Sequence, residues 1–143
     1  MSIDLEVKMI YLTEQQVHML IEHSKREVPN EACGILVGQC GGKRKAKTVY
    51  QMTNTDRSSS TFFMNPKEQL KVMKEIRNLG LQMVGIYHSH PETEAYPSMR
   101  DVEFAYYPGV SYIIVSLKDR DNPGIRSFKI EEGKVTEEKV CVE

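Results

Sequence analysis

Two histidines separated by one residue, His88 and His90, open the segment HSHPETEAYPSMRD, which ends on Asp101. In an extended backbone alternate side chains project from one face, so both imidazoles can reach a single ion. Asp101 would supply a third ligand from the helix that begins there. Two neutral imidazoles and one carboxylate suit zinc, and they leave the fourth tetrahedral position open for water, as catalytic sites require. The net charge of about +1 on such a centre would acidify that water toward a pKa of ~7. A helical HExxH motif sets its histidines four apart; the pair here is the strand counterpart of that solution.

A water activated in this way needs a proton acceptor that is not itself a ligand. Glu31 is the candidate, at the mouth of the apolar strand in PNEACGILVG. Each residue also has a plainer reading. A lone HxH is a weak metal signal, and an acid at a strand end is usually just solvated. Ser98-Met99-Arg100-Asp101 equally forms a capping box, with Ser98 capping the helix and Asp101 closing back on the cap. The Ser98 hydroxyl could cap a backbone N–H and face the cleft at once; Asp101 is harder to share.

The elements that must position these groups follow from pattern. Thr13 before Glu14-Gln15-Gln16 resembles a helix cap, and Val17, Leu20 and Ile21 continue at helical spacing toward a stop near Pro29. Cys33 to Gly38 and Lys47 to Met52 read as strands of a hairpin turning at Gly41-Gly42. Ser58-Ser59-Ser60-Thr61 reads as a mobile polar loop. Asn65-Pro66 opens a second helix with Leu70, Met73, Ile76 and Leu79 on one face and Gly80 as its stop. Met83 to Tyr87 reads as a buried strand, Ser98 to Tyr107 as a third helix, and Tyr112 to Leu117 and Arg126 to Ile130 as further strands. Helices alternating with strands predict an α/β or α+β sheet domain.

Composition narrows the class. A length of 143 residues, 40% hydrophobic, predicts one domain with one core, 1–143. The 19 basic and 20 acidic residues give a net charge of -1, so no overall field draws the chain to nucleic acid or an anionic membrane. No apolar run approaches the roughly 20 residues of a membrane span. The acid-containing N-terminus does not read as a secretory signal, making a cytoplasmic protein the expectation. Cys33, Cys40 and Cys141 are odd in number with no CxxC pair, which argues against a disulfide framework or a thiolate metal site. Cys33 reads as a small buried strand residue rather than a nucleophile. Glu92 and Glu94 read as solvated loop acids, and Lys43-Arg44-Lys45 as an exposed hairpin rather than a docking site for an acidic partner. A homodimer contact through Tyr106, Tyr107 or Val140-Cys141-Val142 is left open.

Taken together, Glu31, then HxH, seven residues, Ser98, two residues and Asp101 resemble the JAMM, or MPN-plus, zinc metalloprotease family. PNEACGILVG, FFMNP, VGIYHSHP, YPSMRD and YPGVSYIIVSL all look like that family, so most of the chain is covered. The resemblance implies a curved mixed β-sheet flanked by helices in a cytidine-deaminase-like three-layer arrangement. It implies one Zn2+ on His88, His90 and Asp101, Glu31 as general base, and Ser98 stabilising the oxyanion. It further implies cleavage after the C-terminal Gly-Gly of a ubiquitin-like or sulfur-carrier protein. The short segment after Asp101 is similar to the compact prokaryotic branch, and AYYPGVSYIIVSL most to its sulfur-carrier-processing members. A noncatalytic MPN scaffold is the alternative, but such proteins typically lack the ligands. A zinc deaminase would need a thiolate pair, which this chain does not have.

Overall fold

The structure, a computed structural model, describes residues 9–39 and 41–143; Cys40 and the first eight residues lie outside the described residues. Its strands are β1 (Met9–Leu12), β2 (Cys33–Gln39), β3 (Arg44–Met52), β4 (Gln82–His90), β5 (Ser111–Ser116), β6 (Gly124–Glu131) and β7 (Lys134–Val142). Its helices are α1 (Glu14–Glu27), α2 (Pro66–Asn78) and α3 (Met99–Glu103). The mixed sheet runs β1-β3-β2-β4-β5-β6-β7, and its curvature carries to closure because β7 pairs in parallel with β1. Leu20 of α1 packs with Leu36, Tyr87, Ile113 and Val115 on one sheet face. Val72 and Ile76 of α2 pack with Cys33, Ile35, Ile86 and Ile114 on the other. The predicted α+β layering is present.

Both long helices start where their caps dictate. The Thr13 side chain accepts the Gln16 N–H while the Gln16 side chain accepts the Thr13 N–H, a reciprocal box that satisfies two donors at the α1 start. The Asn65 carboxamide accepts from Lys67 and Glu68, and Pro66 gives up no needed donor at the first helical position. Gly80, at φ 68°, takes the left-handed conformation after the end of α2.

Several sequence expectations need correction. Of the predicted α2 face, Ile76 is buried and Met73 packs against the core, but Leu70 and Leu79 are exposed and Val72 takes the second buried position. The third helix ends at Glu103 rather than Tyr107, because Pro108 disfavours helical backbone at the residue before it and Phe104 has already left the helical region. Ser58–Thr61 is held rather than loose: the Ser58 carbonyl accepts the Glu31 N–H at 2.8 Å, and its hydroxyl accepts from Ser60 and Thr61. Arg44 is buried, bonding the Gly109 carbonyl and the Ser111 hydroxyl and pairing with Glu138, so the hairpin exposes Lys43 and Lys45 but not Arg44. Val140 and Cys141 pair with Ile10 and Tyr11 within the sheet, which gives these residues an intramolecular role. No helix among the described residues is long and apolar enough to cross a membrane.

Candidate active site

β4 is an interior strand, antiparallel to β2 and parallel to β5, with His88 opposite Cys33 and Ile114. Ladders on both sides hold the two histidines on a rigid backbone, and the period of the strand turns Ile86, His88 and His90 to one face. The same antiparallel register, continued past the start of β2, brings the Glu31 segment alongside His90. Two bonds fix that approach: Ser89 N–H donates to the Ala32 carbonyl at 3.0 Å, and Ala32 N–H donates to the Ser89 hydroxyl at 2.8 Å. Asn54 supports the segment from below, its amide donating to the carbonyls of Glu31 and Thr61.

α3 brings Asp101 over the histidines. The Nε2 atoms of His88 and His90 are 3.1 Å apart, and Asp101 Oδ2 lies 3.1 Å from each. All three side chains are nearly removed from solvent. His90 Nδ1 donates to the Glu94 carbonyl at 2.9 Å, so a neutral His90 carries its proton there and presents a bare Nε2 lone pair to the cluster. Phe62 stacks on the His88 ring, centroids 4.6 Å apart, and fixes its plane. Burial alone would lower the His90 pKa, but its bonds to Asp101 and to the Glu94 carbonyl outweigh that and raise it. Burial likewise opposes ionisation of Asp101, yet the bonds from His88, His90 and the Ser98 N–H hold it well below the usual carboxylate range.

With both Nε2 atoms unprotonated and Asp101 ionised, three electron-rich atoms packed this closely repel unless a positive charge, a proton or a metal ion, lies among them. Tetrahedral zinc with bonds of about 2.0–2.1 Å spaces its ligands about 3.3 Å apart, close to the observed triangle. These three residues could hold a metal ion. Glu31 completes the picture. It is 3% exposed, and among the described residues its buried Oε1 has no hydrogen-bond partner, a costly arrangement unless a group in the site uses it. Burial pushes its carboxyl up to about 8, against the partial relief of His90. A carboxyl that takes and releases a proton near neutrality is suited to general acid–base work.

The capping box leaves Asp101 facing the histidines. Asp101 Oδ2 accepts the Ser98 N–H at 2.9 Å while it faces the histidines, and Ser98 Oγ accepts the Asp101 N–H at 3.1 Å. Ser98 is exposed at the rim, and the cap uses its oxygen as acceptor, not its hydroxyl proton. Other expectations separate from the centre. Glu92 is exposed and reaches Arg120 at 3.5 Å. Glu94 acts through its carbonyl, its side chain remaining exposed. Cys33 is fully buried, and desolvation pushes its thiol up to about 12, which leaves it protonated and unreactive. Phe62, Asn54 and Ser89 were not foreseen. Only Phe62 had a sequence signal, standing in FFMNP, where two adjacent aromatics precede a helix.

Beside the centre runs a cleft of about 160 Å³ that starts at His88 and Asp101 and is walled by Phe62, Phe63, Phe104 and Tyr107, with Arg100 on the wall next to Asp101. Phe63, Phe104 and Tyr106 are exposed along it.

Residues 13–131 match the family model for prokaryotic homologs of the JAB domain. The chain is 39% identical over 136 residues to the CysO-cysteine peptidase of Mycobacterium tuberculosis, covering 95% of this chain and 92% of that one. It is 34% identical over 124 residues to a probable TtuB-protein conjugate cleaving protease of Thermus thermophilus, covering 86% and 74%. A solution structure of a protein from Desulfitobacterium hafniense superposes with a TM-score of 0.85 at 40% identity, over 94% of this chain and 92% of that one. With the match spanning the strand that bears the histidines and the helix that bears Asp101, the chain belongs to the prokaryotic JAB family.

Proposed function

We propose that this chain is a zinc-dependent peptidase that hydrolyses the amide bond after the C-terminal Gly-Gly of a ubiquitin-like or sulfur-carrier protein. The observation that carries the reading is the triangle of His88, His90 and Asp101 donor atoms, at 3.1 Å on every side, beside the orphaned Oε1 of Glu31. The relatives in Mycobacterium and Thermus, named for action on CysO-cysteine and TtuB conjugates, support the substrate class.

His88, His90 and Asp101 would hold the zinc, which when bound acidifies water and polarises a carbonyl. Glu31 takes the proton that the attacking water loses and delivers it to the departing amine as the C–N bond breaks. Its raised proton affinity fits both halves of that transfer. The hydroxyl proton of Ser98 points stabilisation at the oxyanion that develops on the carbonyl. Phe62 and the Glu94 carbonyl keep the imidazoles oriented, and Asp101 is held by its own cap. The exposed apolar rim of Phe63, Phe104 and Tyr106 suits a protein substrate. A tail ending in two glycines, without side chains, can lie as an extended strand close to the ligands.

Mass-spectrometric cleavage of a carrier ending in Gly-Gly-Cys and of a Gly-Gly-lysine isopeptide conjugate tests this. Cleavage after Gly-Gly that disappears with a chelator, returns with zinc, and is lost in Glu31→Gln is the expected result. Cleavage that survives both treatments would overturn the assignment of metal and base. Bound metal without turnover on either substrate would point to a noncatalytic scaffold.

A further inference from the structure

Among the described residues, Arg100 is the one Lys or Arg side chain on the wall of the cleft, set between Asp101 and the exposed Phe104. Its guanidinium lies over the Phe104 ring at 4.4 Å, which holds the long side chain against the wall. Asp56 stands 3.7 Å from one of its nitrogens, an ion pair longer than a hydrogen bond, so the fork is oriented from outside while other N–H donors remain for a ligand. Its side chain is 44% exposed, so solute can reach it. Its charge is felt at Glu31, where it favours the carboxylate, so the cation stands within electrostatic reach of the proposed base.

We propose that this cleft is the leaving-group subsite and that Arg100 binds the free α-carboxylate of a single amino acid attached after Gly-Gly. The inference rests on the hydrolytic reading above. An α-carboxylate sits one carbon from the scissile nitrogen only when the leaving group is one terminal amino acid. In a longer peptide that position holds a neutral amide, and in a lysine isopeptide a methylene. A planar guanidinium meets a carboxylate through two parallel hydrogen bonds, and neither alternative reproduces them. The rest of the lining is mostly aromatic and aliphatic around a space of about 160 Å³, which accepts a small apolar or sulfur-bearing side chain. In the reaction the C–N bond breaks, the water oxygen joins the carrier's terminal carbonyl, and the amino acid leaves with its amine protonated and its carboxylate still on Arg100.

The test uses the metal-loaded full chain and two carriers that differ only at the end, Gly-Gly-Cys as free acid and as carboxamide. The wild-type chain should show a KM about tenfold or more lower for the acid, with kcat little different. Arg100→Met should raise the KM for the acid to that of the amide, and Arg100→Lys should recover part of the difference. Since Arg100 is exposed, thermal melts of the variants should match the wild type. Equal KM values for acid and amide in the wild-type chain, or an unchanged preference in Arg100→Met, would overturn the subsite. If neither carrier is cleaved by the zinc-loaded chain, it is the hydrolytic reading that fails.

Discussion

Ser98 and Asp101 bond each other in both directions, Ser98 N–H to Asp101 Oδ2 at 2.9 Å and Asp101 N–H to Ser98 Oγ at 3.1 Å. The oxygen that closes the cap is also the one that faces both histidines. The two readings of SMRD that compete in the sequence therefore do not exclude each other: the cap aims the carboxylate at the histidines. An anionic residue in the first turn also suits the positive end of the helix.

Asp101→Asn separates the two roles, because its amide oxygen can still accept the Ser98 N–H but contributes no charge. The metal-free stability at neutral pH should fall by about 1–3 kcal/mol, since the charge-assisted bonds to the histidines go while the cap stays. Zinc affinity, measured by competition with a chromogenic chelator, should fall by more than the roughly 10–100-fold that outer-shell substitutions cost. A large loss of metal-free stability with intact zinc affinity would show that Asp101 serves the helix alone.

Glu31 makes the metal-free protein less stable as pH rises. Its carboxyl is raised from 4.5 to about 8, so between those values the folded chain binds more protons than the unfolded one, and stability falls across that window. Glu31→Gln removes the slope. Metal-free melts of the two proteins should agree below about pH 4.5, and the variant should lead by pH 8, on the order of a few kcal/mol. Parallel curves would mean that Glu31 is ionised and solvated.

How much of this was legible depends on whether a residue's environment is set by its neighbours in sequence. The helix starts at Thr13 and Asn65 were readable because capping is local chemistry. The shared face of His88 and His90 was readable because a strand has period two. β7 was not, since its one fully buried position is Glu138, an acid whose partners Arg44 and Ser127 lie on other strands. β1 is only four residues long and gains its meaning from closing the barrel. On α2 the sequence placed Met73 and Ile76 correctly but not the edges of the stripe: Leu70 and the capping Leu79 are exposed and Val72 is buried, because only the packing of the sheet decides where the covered stripe ends.

His23 sets an acid limit on stability. Its Nδ1 lies 2.7 Å from the hydroxyl of the fully buried Tyr87, and burial, aided by Arg26, lowers its pKa to about 4. Between pH 6.5 and 4 the unfolded chain binds the extra proton, so stability is complete above about 6.5 and is lost as pH falls through the window. Urea-unfolding free energies of His23→Gln and the wild type, compared at each pH, should separate by a few kcal/mol in favour of the variant between pH 7 and 4, a difference from which the opposite slope of Glu31 cancels because both proteins carry it. A difference that does not change with pH would assign the acid limit to other groups.

Gly34 is required by the tyrosine behind the histidine strand. A Cβ there would stand 2.2 Å from the Tyr87 ring and 2.5 Å from the Tyr50 carbonyl, and the second neighbour is backbone, which cannot swing away. Gly34→Ala should cost about 3 kcal/mol or more, at the upper end for overpacking. It should also weaken zinc binding, because His88 and Tyr87 are consecutive on β4. A variant as stable as the parent would mean that β2 and β3 separate without cost.

Arg44 and Glu138 test the barrel's closure. The pair joins β3 to β7 at 3.4 Å with both side chains buried, and the Ser127 hydroxyl donates to the other carboxylate oxygen at 2.6 Å. Arg44→Met strands Glu138 in the interior, a loss of about 3–5 kcal/mol, whereas replacing both partners by methionine removes the charge that needs compensation. The double variant should therefore regain most of the stability lost in the single one, a non-additivity read directly from a double-mutant cycle. Additive losses would mean that the two residues contribute through separate packing, and that the ion pair does not couple the strands.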